Sequence, residues 1–206
     1  RRLVTGESSL FTNERLKSYL ESQLPDGILQ FSDIKTAELY ITAAVLNTGE
    51  LHVFGIDRSD SIIDAIMAST AYPILLSPWK YQGKEFVDGA VVSDLPIRVA
   101  VEMTASEVYA IDVGRHDNAR QSQRGVLRVI RQLLSATAYQ RFLDDMGWAR
   151  KLPQDRIHYI NVDSLGDIGL RDFSRTAEMI EKGHQIGLEY LSRLSSHSGI
   201  PDEKAT

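Results

Sequence analysis

Apolar positions along the chain switch repeatedly between the 3.6-residue spacing of a helix and the short runs of a strand. Asn13 or Thr12 stands at the start of a first helix over Glu14 to Leu24, which Pro25-Asp26-Gly27 stops. Leu39 to Val45 reads as a strand, and Asn47-Thr48-Gly49-Glu50 turns it into a second strand over Leu51 to Phe54. Ser59 or Asp60 then caps a helix whose apolar residues Ile62, Ile63, Ile66 and Met67 fall at helical spacing. Trp79 to Tyr81 and Glu85 to Val87, joined through Gln82-Gly83, predict a small hairpin that ends at Asp88.

The second half keeps the alternation. Pro96 suits the first turn of a short helix, where its missing N–H costs nothing. Val108 to Val113 has the length and character of a buried strand, and the polar stretch Gly114 to Gln123 reads as a loop. A long helix follows over Gly125 to Met146, then a strand over Ile157 to Val162, a loop over Ser164 to Gly169 and a last helix over Phe173 to Leu194. Alternating helices and strands predict an α/β domain with a mainly parallel central sheet in a three-layer arrangement flanked by helices. No repeat, low-complexity stretch or linker divides the sequence, so residues 1–206 read as one domain with a frayed tail over 195–206.

Composition narrows the function classes. A chain of 206 residues with 43% hydrophobic content can bury an ordinary core. A net charge of -5 argues against a nucleic-acid partner. With no cysteine, thiol catalysis, disulfides and cysteine-ligated zinc are excluded for this sequence. No apolar run approaches the roughly 20 residues a membrane-crossing helix requires. The sequence opens on Arg1-Arg2 without an initiator Met and reads as a fragment or processed product.

The run Phe86-Val87-Asp88-Gly89-Ala90 brings a carboxylate out of a short apolar strand into a loop of small residues. An Asp-Gly pair alone is a turn signal, because Asp bonds its own backbone and Gly accepts positive φ. Its neighbours add to it. Ala68-Ser69-Thr70-Ala71-Tyr72-Pro73 closes the helix upstream, and Leu95-Pro96-Ile97 opens one downstream. This order of an "A-S-x-A-x-P" block, a strand and a "D-G-[GA]" block closely resembles the distal half of a patatin-like phospholipase domain. Asp172-Phe173-Ser174 and Glu181-Lys182-Gly183-His184 are similar to the end of bacterial members, so the likeness runs from about Leu10 to Leu194. It is most specific between Ala68 and Pro96.

The resemblance implies a lipid acyl hydrolase in which Asp88 is the base of a Ser-Asp dyad, with Gly89, Ala90, Ser69 and Pro73 supporting the motif. A serine hydroxyl needs a base to take its proton, and a carboxylate can do this directly when it is close and partly desolvated. The family's Gly-rich oxyanion loop and G-x-S-x-G elbow have no counterpart here. Gly6-Glu7-Ser8-Ser9-Leu10 places Leu where the sharp elbow needs glycine, so Ser8 is not nominated and the segment reads as a loop. The nucleophile is expected from sequence upstream, and the chain alone is expected to be inactive. No metal or organic cofactor is implied, although calcium helps some members of the family.

Other residues carry blander readings. Asp94 is expected to cap the helix at Pro96, and Asp112, at a strand end, to bond the loop that follows. His52, His116, His158, His184 and His197 include no pair at metal-ligand spacing. His158 reads as a core or sheet-face residue, and His184 has no evident partner. Arg115, Arg120, Arg124, Arg128 and Arg131 lead into the long helix, whose apolar face carries Val126, Leu127, Ile130, Leu133 and Leu134. Attraction to anionic lipid headgroups is one reading, and a core-packed helix with a solvated basic face is preferred. The alternatives to an enzyme are an inactive patatin-like module that binds lipid or protein, and a subunit completed by another chain. The expected partners are a lipid or ester substrate, a membrane surface, and a second copy pairing through open strand edges at Val108 to Val113 and Leu39 to Val45. A cytoplasmic or peripheral-membrane location is favoured.

Overall fold

The computed structural model describes residues 9–11, 13–113, 126–153, 156–162 and 174–197. Along the chain these form β1 (Ser9–Phe11), α1 (Glu14–Gln23), β2 (Ile41–Val45), β3 (Leu51–Phe54), α2 (Ile62–Ser69), β4 (Ile74–Leu76), β5 (Trp79–Tyr81), β6 (Lys84–Asp88), α3 (Ile97–Glu102), β7 (Val108–Asp112), α4 (Val126–Ala149), β8 (Ile157–Asn161) and α5 (Thr176–His197). Contacts divide the chain into two units, residues 1–99 with 124–148, and residues 100–123 with 149–206.

The sheet that carries Asp88 is four-stranded, in the order β3-β2-β6-β5, and every pairing in it is antiparallel. Parallel pairing occurs in two smaller sheets, β1 with β4 and β7 with β8. The chain is thus α/β as expected, but its largest described sheet is not the parallel one. Two tight hairpins explain this, since antiparallel neighbours need only a short turn whereas parallel ones need a crossover. In the β5–β6 turn, Gln82 and Gly83 both have positive φ, +46° and +76°, as the turn type matched to strand twist requires. Strand β2 lies inside the sheet, bonded to β3 on one side and β6 on the other, so the open edge expected over Leu39 to Val45 is absent.

α2 packs over this sheet. Ala65 and Ala68 are fully buried and join Phe31, Ala43, Val45, Phe54, Ile62 and Phe86 in one cluster. Alanine at these positions lets the helix backbone come close to β2, and the three phenylalanines fill the remaining space. Phe54 meets Phe86 with ring centroids 5.2 Å apart, in the tilted geometry aromatic pairs favour. Phe31 lies in a single 3-10 turn over Phe31–Asp33. The Asp33 carboxylate receives the amides of Leu29 and Gln30 at 2.9 and 2.8 Å. This turn has no periodic pattern in the sequence.

The caps differ from expectation in detail. α2 is capped by Ser61, whose hydroxyl accepts the Asp64 amide, and not by Ser59 or Asp60. Ser59 bonds Asp57 instead, and the Asp60 carboxylate receives the Gly55 amide. Asn13 occupies the N-cap of α1, but its side chain makes no cap bond; its Nδ2 donates to the Ser77 carbonyl at 2.8 Å. Ser9 and Leu10, expected in a loop, belong to β1, which pairs with β4 through Ser9–Ile74 and Phe11–Leu76. Two three-residue strands show little periodicity, and pairing creates them.

In the second unit, β7 buries Val108, Ala110 and Asp112 and exposes Tyr109. Ile111 and Val113, on the side of Tyr109, are also exposed. α5 continues to His197, past the expected end at Leu194. The loops expected over 114–123 and 164–169 lie outside the described residues. No described helix is long and apolar enough to cross a membrane.

Candidate functional site

Asp88 is the last residue of β6 and the first cap of a 3-10 turn over Gly89–Val91. Two neighbouring elements fix its backbone. It is paired with Ala43 of β2, and its amide donates to the Ala71 carbonyl at 3.1 Å. That second bond joins the two blocks singled out in the sequence, because Ala71 belongs to Ala68-Ser69-Thr70-Ala71-Tyr72-Pro73. Ala68 and Ala71 are both fully buried. Ser69, the last residue of α2, and Pro73, just before β4, are half-buried. They flank Ala71 where the chain passes from α2 to β4.

Gly89 is needed for a close approach. A Cβ at this position would stand 2.7 Å from the Thr42 carbonyl oxygen and 2.9 Å from its hydroxyl. Only glycine lets β6 leave the sheet against β2 at this distance. The Ala90 amide then donates to Oδ1 of Asp88 at 2.9 Å. This bond holds one of the two carboxylate oxygens. Burial pushes the Asp88 carboxyl above the usual carboxylate range; the Ala90 amide works against this, and the charge of Asp94 adds to it. A carboxylate raised by desolvation is a stronger base than a solvated one.

The loop closes on Gly89. Its carbonyl accepts the amides of Val92 and Ser93 at 3.0 and 2.9 Å. Ser93 is buried, and its hydroxyl donates to Asp145 of α4 at 3.1 Å. Asp145 also receives Arg98 Nε at 2.7 Å, and the Arg98 guanidinium lies 5.0 Å from the Trp148 ring centre. Ser93 and Asp145 were not visible as partners in the sequence, being 52 positions apart.

Residues 1–101 match the family model described as patatin-like phospholipase. Through those residues, just under half of its length, the chain is patatin-like. The matched region contains both blocks and the Asp88 loop. The chain is 23% identical to the lysophospholipase NTE1 of Coccidioides immitis over 161 residues, covering 68% of this chain and 10% of that protein. It is 25% identical to the lysophospholipase nte1 of Emericella nidulans over 156 residues, 66% of this chain and 10% of that protein. It is 28% identical to the 1-acylglycerol-3-phosphate O-acyltransferase Pnpla3 of Mus musculus over 109 residues, 51% of this chain and 25% of that protein. The chain thus spans a small part of each of these relatives.

The remaining candidates of this patatin-like chain divide as follows. Asp94 is exposed, and it acts on Asp88 through its charge. Asp112 is buried at the end of β7, where the Tyr159 hydroxyl of β8 donates to it at 2.6 Å. His158 is buried in β8, stacked on Tyr109 with centroids 4.4 Å apart and 3.3 Å from the Tyr190 hydroxyl, as a sheet-face residue should be. His52 packs its ring against Phe54 and Phe86, and His184 is exposed on α5. His116, Arg115, Arg120 and Arg124 lie outside the described residues. The core-packed reading of the long helix fails at its start, where Val126, Ile130 and Leu133 are exposed, whereas Phe142 and Ala149 further along α4 are buried. Periodicity marks an apolar stripe but does not say what covers it. Among the described residues no group of three or more acidic or histidine side chains is placed to hold a metal.

Proposed function

We propose that this chain is the distal part of a single patatin-like domain of a lipid acyl hydrolase, and that Asp88 is the general base of a Ser-Asp dyad whose serine lies in sequence outside the chain. The observation that carries the reading is the Asp88 carboxylate itself. It is half-buried, held through one oxygen by the Ala90 amide and raised in basicity by burial. Asp88 takes the serine proton as the hydroxyl oxygen attacks the ester carbonyl carbon. The proton passes to the leaving alkoxide as the tetrahedral adduct collapses to an acyl-serine. Asp88 then takes a proton from water, which attacks the acyl carbon, and the serine recovers its proton. Ser69, Pro73, Gly89 and Ala90 support the loop and do not touch the reacting atoms.

The names of the three relatives share a monoacyl glycerophospholipid, and this is the substrate class we favour. An exposed apolar stripe at the start of α4 supports contact with a lipid surface, and the exposed face of β7 supports pairing with a second copy.

The deciding experiment uses the protein that carries this chain together with the elbow serine. Asp88→Asn keeps the shape and the bond from Ala90 but cannot take a proton. Hydrolysis of a lysophospholipid is expected to fall by roughly 10²–10⁴-fold with the fold intact by circular dichroism. A rate within a few-fold of the unaltered protein would make Asp88 structural.

A further inference from the structure

The loop that carries Asp88 is anchored at both ends, and the two anchors differ in kind. At its start, β6 pairing and the Asp88–Ala71 bond fix the backbone. At its end, the only side chain of the turn that is buried and polar is Ser93, and its hydroxyl reaches α4. We propose that Asp145 of α4 is a positioning residue for Asp88: by accepting the Ser93 hydroxyl while paired to Arg98, it clamps the far end of the Asp88 loop. The inference rests on the reading of Asp88 as the base.

The physical argument follows from the two oxygens of Asp145. Its side chain is only 13% exposed, so leaving either oxygen unpaired would carry a desolvation cost. Oδ1 takes Arg98 Nε at 2.7 Å and Oδ2 takes Ser93 Oγ at 3.1 Å, so each oxygen has a dedicated donor. Arg98 stands one residue into α3 and stacks over Trp148, one turn further along α4. The carboxylate is therefore oriented, and bonds to charged acceptors are stronger than neutral ones. Ser93 N also closes the turn on the Gly89 carbonyl. Ser93 thus transmits the position of α4 to the residue adjacent to Asp88. Without Asp145, the Ser93 hydroxyl loses its partner on α4. A displacement of about 1 Å in a reacting group can cost on the order of 10²-fold in rate.

The test uses the protein that carries this chain with the elbow serine, with a lysophospholipid as the probe. Ser93→Ala, Asp145→Ala and the double variant are compared for kcat and KM. Each single variant is expected to lower kcat about tenfold with KM unchanged, and the double variant to be no slower than Asp145→Ala, since both single variants remove the Ser93–Asp145 bond. Asp145→Asn, whose carbonyl still accepts the Ser93 hydroxyl, is expected to recover most of the loss, which a role in helix stability alone would not produce. A folded Asp145→Ala with kcat within twofold of the unaltered protein, or single losses that multiply in the double variant, would overturn the clamp. Should Asp145→Ala fail to melt cooperatively, Ser93→Ala, which removes a single oxygen, is judged by the same kcat threshold. Asp88→Asn is measured alongside. If it is inactive while Asp145→Ala is fully active, the clamp alone falls; if it is active, the dyad falls and takes the clamp with it.

Discussion

At the scale of residues, the proposed chemistry rests on Asp88 and on the room that Gly89 makes beside it. Burial raises the Asp88 carboxyl, with the charge of Asp94 adding to the shift. The linkage has a definite sign. In the folded chain Asp88 binds its proton more tightly than in the unfolded chain, so its favourable contribution is complete below the unfolded pKa, near 4. It is lost as pH rises through the raised folded value. Asp88→Asn should therefore melt with the unaltered chain in acid and above it at neutral pH. Melting temperatures from pH 3 to pH 8 check this, and a pH-independent difference would mean that burial does not tune the group. Gly89→Ala is expected to cost roughly 1–3 kcal/mol in urea unfolding, because the added carbon meets the Thr42 carbonyl, a backbone atom that cannot swing aside.

At the scale of elements, α2 and the residues that follow it hold β6 at Asp88. α2 is apolar on several sides, and its small residues are as informative as its large ones. Ala65 and Ala68 are both fully buried in the cluster that also holds Ala43 of β2. Ala68→Leu adds three carbons to this packed site and is expected to destabilise by about 1–3 kcal/mol. It should also lower activity in the protein with the elbow serine, because Ala71, three residues on, holds the Asp88 amide. Denaturant unfolding and a lysophospholipid assay read the two effects, and a neutral outcome in both would show that the helix tolerates a larger spacing. The periodicity of Ile62, Ile63, Ile66 and Met67 was legible in the sequence, and so were both hairpins. The cap was not, since Ser59, Asp60 and Ser61 are equally good residues. Ser61 takes the role because Asp60 is drawn to the Gly55 amide and Ser59 to Asp57.

At the scale of the whole molecule, the two units contribute differently. The unit of residues 1–99 and 124–148 carries Asp88, its supporting block and Asp145. The other carries a two-stranded parallel sheet, with Tyr109, Ile111 and Val113 exposed on one side of β7. Contiguous apolar surface of this kind favours association. The apparent mass of the chain by light scattering is expected to fall on dilution, and Ile111→Lys to abolish the concentration dependence. A concentration-independent monomer before substitution would remove the pairing proposal.

The sequence by itself determined the α/β alternation, the two hairpins and the family, because each rests on local chemistry. A 3.6-residue stripe, a turn residue with positive φ, and a carboxylate followed by glycine are all written in adjacent positions. It also marked Asp88, since the D-G-A and A-S-x-A-x-P blocks are contiguous. What only tertiary structure decided was every relation between distant positions. The Ala71–Asp88 bond, the depth at which Asp88 is desolvated, the placement of β2 inside an antiparallel sheet and the Ser93–Asp145 contact join residues far apart in the chain. Side-chain pattern specifies which face is apolar, but hydrogen-bond partners and desolvation depend on what the fold brings opposite that face.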